Sequence, residues 1–278
     1  DGAGLAAPEM VLPVTAHAAF QKAAHYFGIK PVLVAVDPVT FRADVEAIRA
    51  ATNDNTVLLV ASAASYAHGV IDPVTEIAAL ALERGIRCHV DGCIGAWLLP
   101  YFRRLGADIP AFDLSVPGVT SLSVDLHKYA YAAKGASVVL FADQAMRRPS
   151  YYACADWTGY TMVNATVQST KSGGPVAAAW AVLNLVGDEG YLELARKTLS
   201  ATRRLIEGAN AVPGLRVLGD PEMALVAMAA PDPEANVVVV CDELAARSGS
   251  GQAQPGTRGA RAEPPRPDPA PSGPRAHR

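Results

Sequence analysis

The chain holds six lysines, and one of them, Lys128, closes the run Ser121-Leu-Ser-Val-Asp-Leu-His-Lys128. Upstream, Asp91 follows the mostly apolar run Ile86-Arg-Cys-His-Val90. Each group therefore leaves the end of a predicted strand, a carboxylate from one and a His127–Lys128 pair from another. A lysine amine can form a Schiff base with an aldehyde. A carboxylate beside a pyridine nitrogen keeps that nitrogen protonated, so the ring acts as an electron sink. Together the two groups suit pyridoxal phosphate chemistry. Strand-end Asp and Lys are commonly just solvated, so the pair needs its context.

The elements that must position these groups alternate between strand and helix. Val32–Val36 is β-rich and stops at Asp37-Pro38, and Phe41, Val45 and Ile48 then fall at helical spacing. Thr56–Ala61 is a nearly continuous apolar run, as in a strand buried on both faces. Val74, Ile77, Ala78, Ala81 and Leu82 form a second helical stripe, which Gly85 closes. Ile86–Val90, Ser121–Val124 and Ser137–Phe141 read as further strands. This alternation predicts an α/β fold with a mostly parallel sheet covered by helices. Ligands in such sheets collect outside the carboxyl ends of the strands, where Asp91, His127 and Lys128 fall. A long amphipathic segment runs from Gly190 to Ala211. Leu215–Leu218 and Ala224–Met228 look like opening strands of a second, smaller domain, and Asn236–Arg247 starts as a β-branched run and ends like a helix.

A length of 278 residues with 50% hydrophobic content allows a sizeable core. The net charge of -3 argues against a nucleic-acid or membrane-surface partner. Four cysteines without metal or disulfide spacing suit a reducing, cytoplasmic setting. No apolar run is long enough for a membrane span. From Gly251 to Arg278 the chain carries five Arg against two acids and no large apolar residue, so a disordered tail is expected there.

Five stretches follow one another in a fixed order along the chain. They are Pro13-Val-Thr-Ala-His17-Ala-Ala-Phe-Gln-Lys-Ala-Ala-His25-Tyr-Phe-Gly28, His68-Gly-Val-Ile-Asp-Pro73, His89-Val-Asp91-Gly-Cys, Gly118–Gly135 with its His127-Lys128-Tyr-Ala-Tyr131-Ala-Ala-Lys134, and Asp156-Trp-Thr-Gly-Tyr. In this order they resemble the sphingosine-1-phosphate lyases, of the pyridoxal phosphate-dependent group II decarboxylase-like enzymes of fold type I. The resemblance covers roughly residues 9 to 247. It implies a large cofactor-binding domain over 1–189, a linking helix and incomplete small domain over 190–247, and a Pro/Arg-rich tail over 248–278. It also implies a homodimer. Family members carry a Gly-Gly-Thr-Glu-Ser-like segment for the cofactor phosphate, and Asp1-Gly-Ala-Gly4 does not match it. A fragment is therefore expected, with coding that stops matching near Ser248.

The resemblance implies a role for each site residue. Lys128 is the Schiff-base lysine, with a surface turn lysine as the bland alternative. Asp91 pairs with the pyridine nitrogen, or else caps a helix. His17 stacks over the cofactor ring, or else sits as a satisfied histidine at a helix start. His127 reaches the cofactor phosphate or the substrate. Ser62 and Ser65 hydrogen-bond the ring-hydroxyl side. Lys134 lines the substrate site and suits a phosphorylated substrate by direct Coulomb attraction. Tyr129 and Tyr131 transfer protons or pack, and Tyr131 is counted with the substrate residues. His25 and His89 look structural, although His89 shares a strand face with Asp91. Thr170 lies in Thr170-Lys171-Ser172-Gly173-Gly174, where the family usually has Ser-Arg-Pro-Gly-Gly. Thr keeps the hydroxyl there, and Lys for Arg loses a bidentate fork. The implied reaction is cleavage of a phosphorylated long-chain amino alcohol to a fatty aldehyde and phosphoethanolamine. The alternatives are a pyridoxal phosphate-dependent amino-acid decarboxylase and an inactive remnant of either enzyme.

Overall fold

A computed structural model of the chain describes residues 7–168, 170–230, 232 and 236–254. The expected tail beyond residue 254 and the segment Asp1-Gly-Ala-Gly4 lie outside the described residues. The chain divides into two compact units, one up to Ala235 and one from Asn236, and each is taken separately.

Short β-rich runs build one sheet in the first unit. Its strands are β1 (Glu9–Pro13), β2 (Lys30–Val34), β3 (Thr56–Ser62), β4 (Arg87–Asp91), β5 (Ser121–Val124) and β6 (Val138–Phe141). Their spatial order is β2-β1-β3-β4-β5-β6. All neighbours pair parallel except β5 and β6, which pair antiparallel. Helices α1 (Ala19–Phe27), α2 (Val45–Ala51), α3 (Val74–Arg84) and α4 (Leu99–Arg104) fall between the parallel strands. A short helix α5 (Gln144–Arg147), a hairpin of β7 (Tyr152–Cys154) and β8 (Met162–Asn164), the long helix α6 (Gly173–Asn210) and the pair β9 (Arg216–Val217) and β10 (Met228–Ala229) complete the unit. Gly187 interrupts α6 with φ 62°, a backbone conformation that glycine adopts without a steric cost. The second unit is described by α7 (Val237–Ala246).

The two faces of the sheet are not alike. On one face Val11, Leu59, Ala61, Cys88, Val90, Leu122 and Val124 meet Ile48 of α2, Ile77 and Leu80 of α3, Phe102 of α4 and Ala195 of α6 in the main core. On the other, Met10, Leu12, Leu58 and Val60 pack with Phe20 and Ala24 of α1. Strand side chains alternate between faces. The α1 face therefore also carries Ser62, His89, Asp91, Ser121 and Ser123, a polar strip beside the apolar patch. β6 is an edge among the described residues, with Val138, Val139 and Leu140 exposed.

Several boundaries differ from the sequence expectations. The first β-rich run forms a strand over Lys30–Val34, because Asp37 pulls the next residues into a turn by accepting from Val39 and Thr40 N–H. Pro31 is tolerated because β2 is an edge strand. β1 was not distinguished, being a short apolar run ended by Pro13. Of Ala224–Met228 only Met228 is in a strand, because residues 219–225 form a loop fixed elsewhere. The β-branched run Val237–Val240 is helical, with the Asn236 side chain accepting from Val238 N–H at its start. A good cap offsets the small helix penalty of valine.

Candidate active site

Register puts three hydroxyl or carboxyl groups at one height on the α1 face. Ser62 pairs with Asp91, and Asp91 pairs with Ser123, so these residues lie side by side at the carboxyl ends of β3, β4 and β5. Asp91 Oδ1 accepts from the Cys93 N–H at 3.0 Å and from Ser123 Oγ at 3.2 Å. The Cys93 thiol donates to Ser123 Oγ at 3.2 Å. Burial first, and then the Asp91 charge, push that thiol up to about 12, so Cys93 is not a thiolate nucleophile at neutral pH. His89, two residues before Asp91 on the same face, bonds Ser121 Oγ through Nδ1 at 2.8 Å and meets the Phe20 ring edge-on at 5.7 Å. Burial lowers its pKa despite the opposing Asp91 charge. The first turn of α1 is thus anchored over the strand that ends in Asp91.

The chain leaves β5 alongside the turn after β4, with Asp125 N–H donating to Cys93 O at 3.3 Å. A tight turn follows, in which Lys128 N–H donates to Asp125 O. It brings Lys128 Nζ to 2.9 Å from Asp125 Oδ2. His127 Nδ1 donates to Ala136 O at 2.7 Å, and its Nε2 lies 3.6 Å from the same Asp125 oxygen. The His127 side chain is only 12% exposed, so it is not a strand-end histidine in open solvent. Ser137 Oγ also bonds Asp125. Burial raises the Asp125 pKa, but the hydrogen bonds from Lys128 and Ser137 and the nearby positive charges outweigh it and leave a net lowering. Asp125 is therefore an ionised carboxylate that holds Lys128, while His127 is held beside it by Ala136 O. Sequence reading passed over it, although its spacing from Lys128 was the available signal.

Lys128 opens on a cavity of about 250 Å3 lined also by Ile94, Tyr129, Tyr131 and Leu225. Tyr129 is half-buried, and its hydroxyl donates to Ala224 O at 3.4 Å. Burial raises its pKa. Tyr129 thus packs and braces a loop, while Tyr131, at φ 59° and 54% exposed, stays open to solvent. Pyridoxal phosphate fits the donor set here. The Ser62 and Ser65 hydroxyls are buried with no hydrogen-bond partner among the described residues, and a buried hydroxyl of that kind calls for one. Ser62 is the register neighbour of Asp91, so its hydroxyl is one of the groups that would hold such a cofactor.

A second buried network supports the end of β3. The Asp72 carboxylate accepts from Ser62 N–H at 2.8 Å and from Ala43 N–H at 2.9 Å. It is fully buried, and desolvation raises its pKa to about 6 against the pull of those bonds and of Arg42. Arg42 bonds Ile71 O and Glu222, and Glu222 accepts from Ile71 N–H at 3.0 Å. His68 stacks on Phe41 at 4.2 Å and 11°. Asp72 and Glu222 had not been singled out. Glu222 could not have been, because its partners are remote in sequence.

The remaining predicted residues are not drawn into this bonded set. His17 lies in the loop after β1, is exposed, and accepts from Ala19 N–H through Nδ1 at 3.1 Å. Lys134 is exposed on the loop that follows Lys128. Thr170 is exposed just before α6, where Ser172 caps the helix by accepting from Gly174 N–H. Ala179 of α6 packs with Ala132 and Ala136, so the start of that helix sits beside the Lys134 loop. His25 is exposed in the last turn of α1. Among the described residues no cluster could hold a metal ion, and no helix is long and apolar enough to cross a membrane.

Comparison with known proteins follows the same outline. The model of the pyridoxal-dependent decarboxylase conserved domain matches residues 5–230. The sphingosine-1-phosphate lyase of Dictyostelium discoideum is 46% identical over 220 residues, covering 79% of this chain and 42% of that protein. The Arabidopsis thaliana lyase is 46% identical over 224 residues, covering 81% and 41%. The chain thus spans about two-fifths of the length of these relatives. The solved structure of a Burkholderia pseudomallei sphingosine-1-phosphate lyase superposes with a TM-score of 0.85 at 40% identity, covering 89% of this chain and 56% of that one. The chain belongs to the pyridoxal-dependent decarboxylase family, where it is similar to the sphingosine-1-phosphate lyases.

Proposed function

We propose that the chain is the cofactor-holding part of a carbon–carbon lyase acting on a phosphorylated long-chain amino alcohol. The observation that carries this is the placement of Lys128. Its ammonium sits on an ionised Asp125 at the mouth of a largely apolar cavity, and Ser123 and Cys93 connect that position to Asp91. When bound, pyridoxal phosphate supplies an electron sink for the pair released at the substrate's C2. Lys128 would hold the cofactor covalently, Asp91 would keep its ring nitrogen protonated, and Ser62 would bond its ring-hydroxyl side. His17, on the turn anchored through Phe20, would cover the ring, and His127 and Thr170 would bind its phosphate side. Asp125 would orient the Lys128 side chain until the cofactor arrives. Tyr131 is the accessible phenol for proton transfer at C3, since Tyr129 is committed to Ala224. Lys134 would attract the substrate phosphate.

The proposal extends to a homodimer in the cytoplasm that serves sphingolipid breakdown. Four free cysteines suit a reducing compartment, and two-fold pairing is the commonest oligomer symmetry. Thr170–Gly174 is the segment proposed to reach a partner's site. A mixture of Lys128→Ala and Lys171→Ala chains should regain activity if sites are shared; verified mixed dimers without activity would place the loop in its own site.

The family description favours one second reading, an amino-acid decarboxylase. Product analysis on the full-length, cofactor-loaded protein decides between them. A long-chain aldehyde with phosphoethanolamine supports the lyase. Carbon dioxide from an amino acid, with no turnover of the phosphorylated base, would establish the decarboxylase. A protein that takes up no cofactor and turns over neither substrate is the inactive remnant.

A further inference from the structure

We infer that Leu225, seated by Glu222 and Gly69, is a specificity-determining residue that forms the wall against which the substrate's alkyl chain lies beside Lys128. This rests on the lyase reading and names which part of the site measures the chain. Among the described residues Lys128 is the one charged side chain lining the cavity, and Ile94, Leu225 and two tyrosine rings form the rest. A second carboxylate placed against that wall would lose hydration without gaining a partner. An alkyl chain placed there gains by leaving water.

Leu225 does not belong to the sheet that carries Lys128. It arrives on the loop after β9, which is fixed from two sides. On the outer side, Glu222 binds Arg42 and accepts from Ile71 N–H, while Met223 N–H donates to Gly69 O at 3.0 Å. Met223 itself is fully buried in the main core. On the cavity side, the Tyr129 hydroxyl donates to Ala224 O. Gly69 makes the close approach possible: its φ is +69°, and a Cβ there would collide with the Leu225 carbonyl oxygen. A wall braced in this way keeps its position when a chain slides along it. It therefore discriminates by length rather than adapting to each ligand.

The test uses the full-length protein loaded with pyridoxal phosphate and a series of 1-phosphorylated 2-aminoalkanes of increasing length. These lack the C3 hydroxyl and cannot be cleaved, so affinity is read from the change in the cofactor's visible band. The native protein should bind about fourfold more tightly per added methylene until the wall is covered, the ratio that ~0.8 kcal/mol per buried methylene gives. Leu225→Ser should reduce that increment to about twofold or less. Gly69→Ala, which displaces the loop with Leu225 intact, should flatten it similarly. Glu222→Gln, which keeps the side-chain shape, is the milder variant should either of the others fail to fold. Increments that stay fourfold in every folded variant would overturn the inference, as would a native protein that ignores chain length. Binding of an amino acid with none of any phosphorylated amine would instead sink the lyase reading beneath it.

Discussion

The carboxyl edge of β3, β4 and β5 and the loops that flank it solve different problems. At the edge, Ser62, Asp91 and Ser123 are aligned by strand register, and one turn later Asp125 holds Lys128 while Ala136 O holds His127. In the loops, His17, Tyr131, Lys134 and Thr170 are exposed and make few bonds. The edge is preorganised by the fold, so its groups stand ready for chemistry that tolerates little displacement. The loop groups are positioned to meet a ligand rather than to be held in advance. The contrast teaches where an amino-acid change should be felt in turnover and where it should be felt in affinity.

The strongest test of that division is Lys128→Ala. It should cut turnover by at least about a thousandfold, or ~4 kcal/mol of barrier. Borohydride reduction of the native protein should fix pyridoxal on the peptide containing Lys128. Label on Lys134 would move the covalent function from the edge to a loop. Next in size is Asp91→Asn, which keeps the hydrogen bonds of Oδ1 but removes the negative charge. Turnover should fall by about 10²–10³-fold, as when one preorganised electrostatic group is lost, with Km little changed. A rise in Km alone would put Asp91 among the binding groups.

Asp72 tests the edge through stability. Its folded pKa is raised from 3.8 to about 6. Between these values the folded state binds a proton that the unfolded state does not. This contribution is complete below pH 3.8 and is lost as pH rises through about 6, for a total of at most about 3 kcal/mol. Denaturant titrations at pH 4 and pH 7 should show that loss relative to Asp72→Asn, even though Asp125, with its lowered pKa, works in the opposite sense in both proteins. Equal pH dependence in the two would mean that Asp72 stays ionised when buried. The smallest effect is expected in the loops. Lys134→Ala should raise Km for a phosphorylated base by about fivefold, since an exposed pair is worth under about 1 kcal/mol. The cofactor's visible band should not change. A large loss of the band would make Lys134 part of the edge.

Much of this edge was legible in the chain because it depends on local pattern. Ser121–Val124 is a strand over the residues its composition marks, and Asp91 and Ser62 close theirs. Period-two alternation also carries His89 onto the face of Asp91. What was missed has two physical causes. Asp125 was hidden by its neighbours: His127 and Lys128 drew the chemistry, while the turn that folds a carboxylate back on the lysine leaves no periodic trace. Glu222, Met223 and Leu225 were hidden by distance, because their seat is Gly69 and Ile71 across the molecule. At Val237–Val240 the β-branched run is already helical, and the Asn236 side chain caps its start.

The exposed β6 has a consequence for handling the protein. Val138, Val139 and Leu140 present apolar side chains, and among the described residues the strand has a neighbour on one side only. Its outer row of N–H and C=O groups is a template for strand addition, and Val138–Phe141 contains no charge or proline to block one. Preparations of this chain should therefore cloud with time and concentration, growing by backbone pairing while the folded cores stay intact. A lysine at Val139, on the same face as Ser123, should clear them.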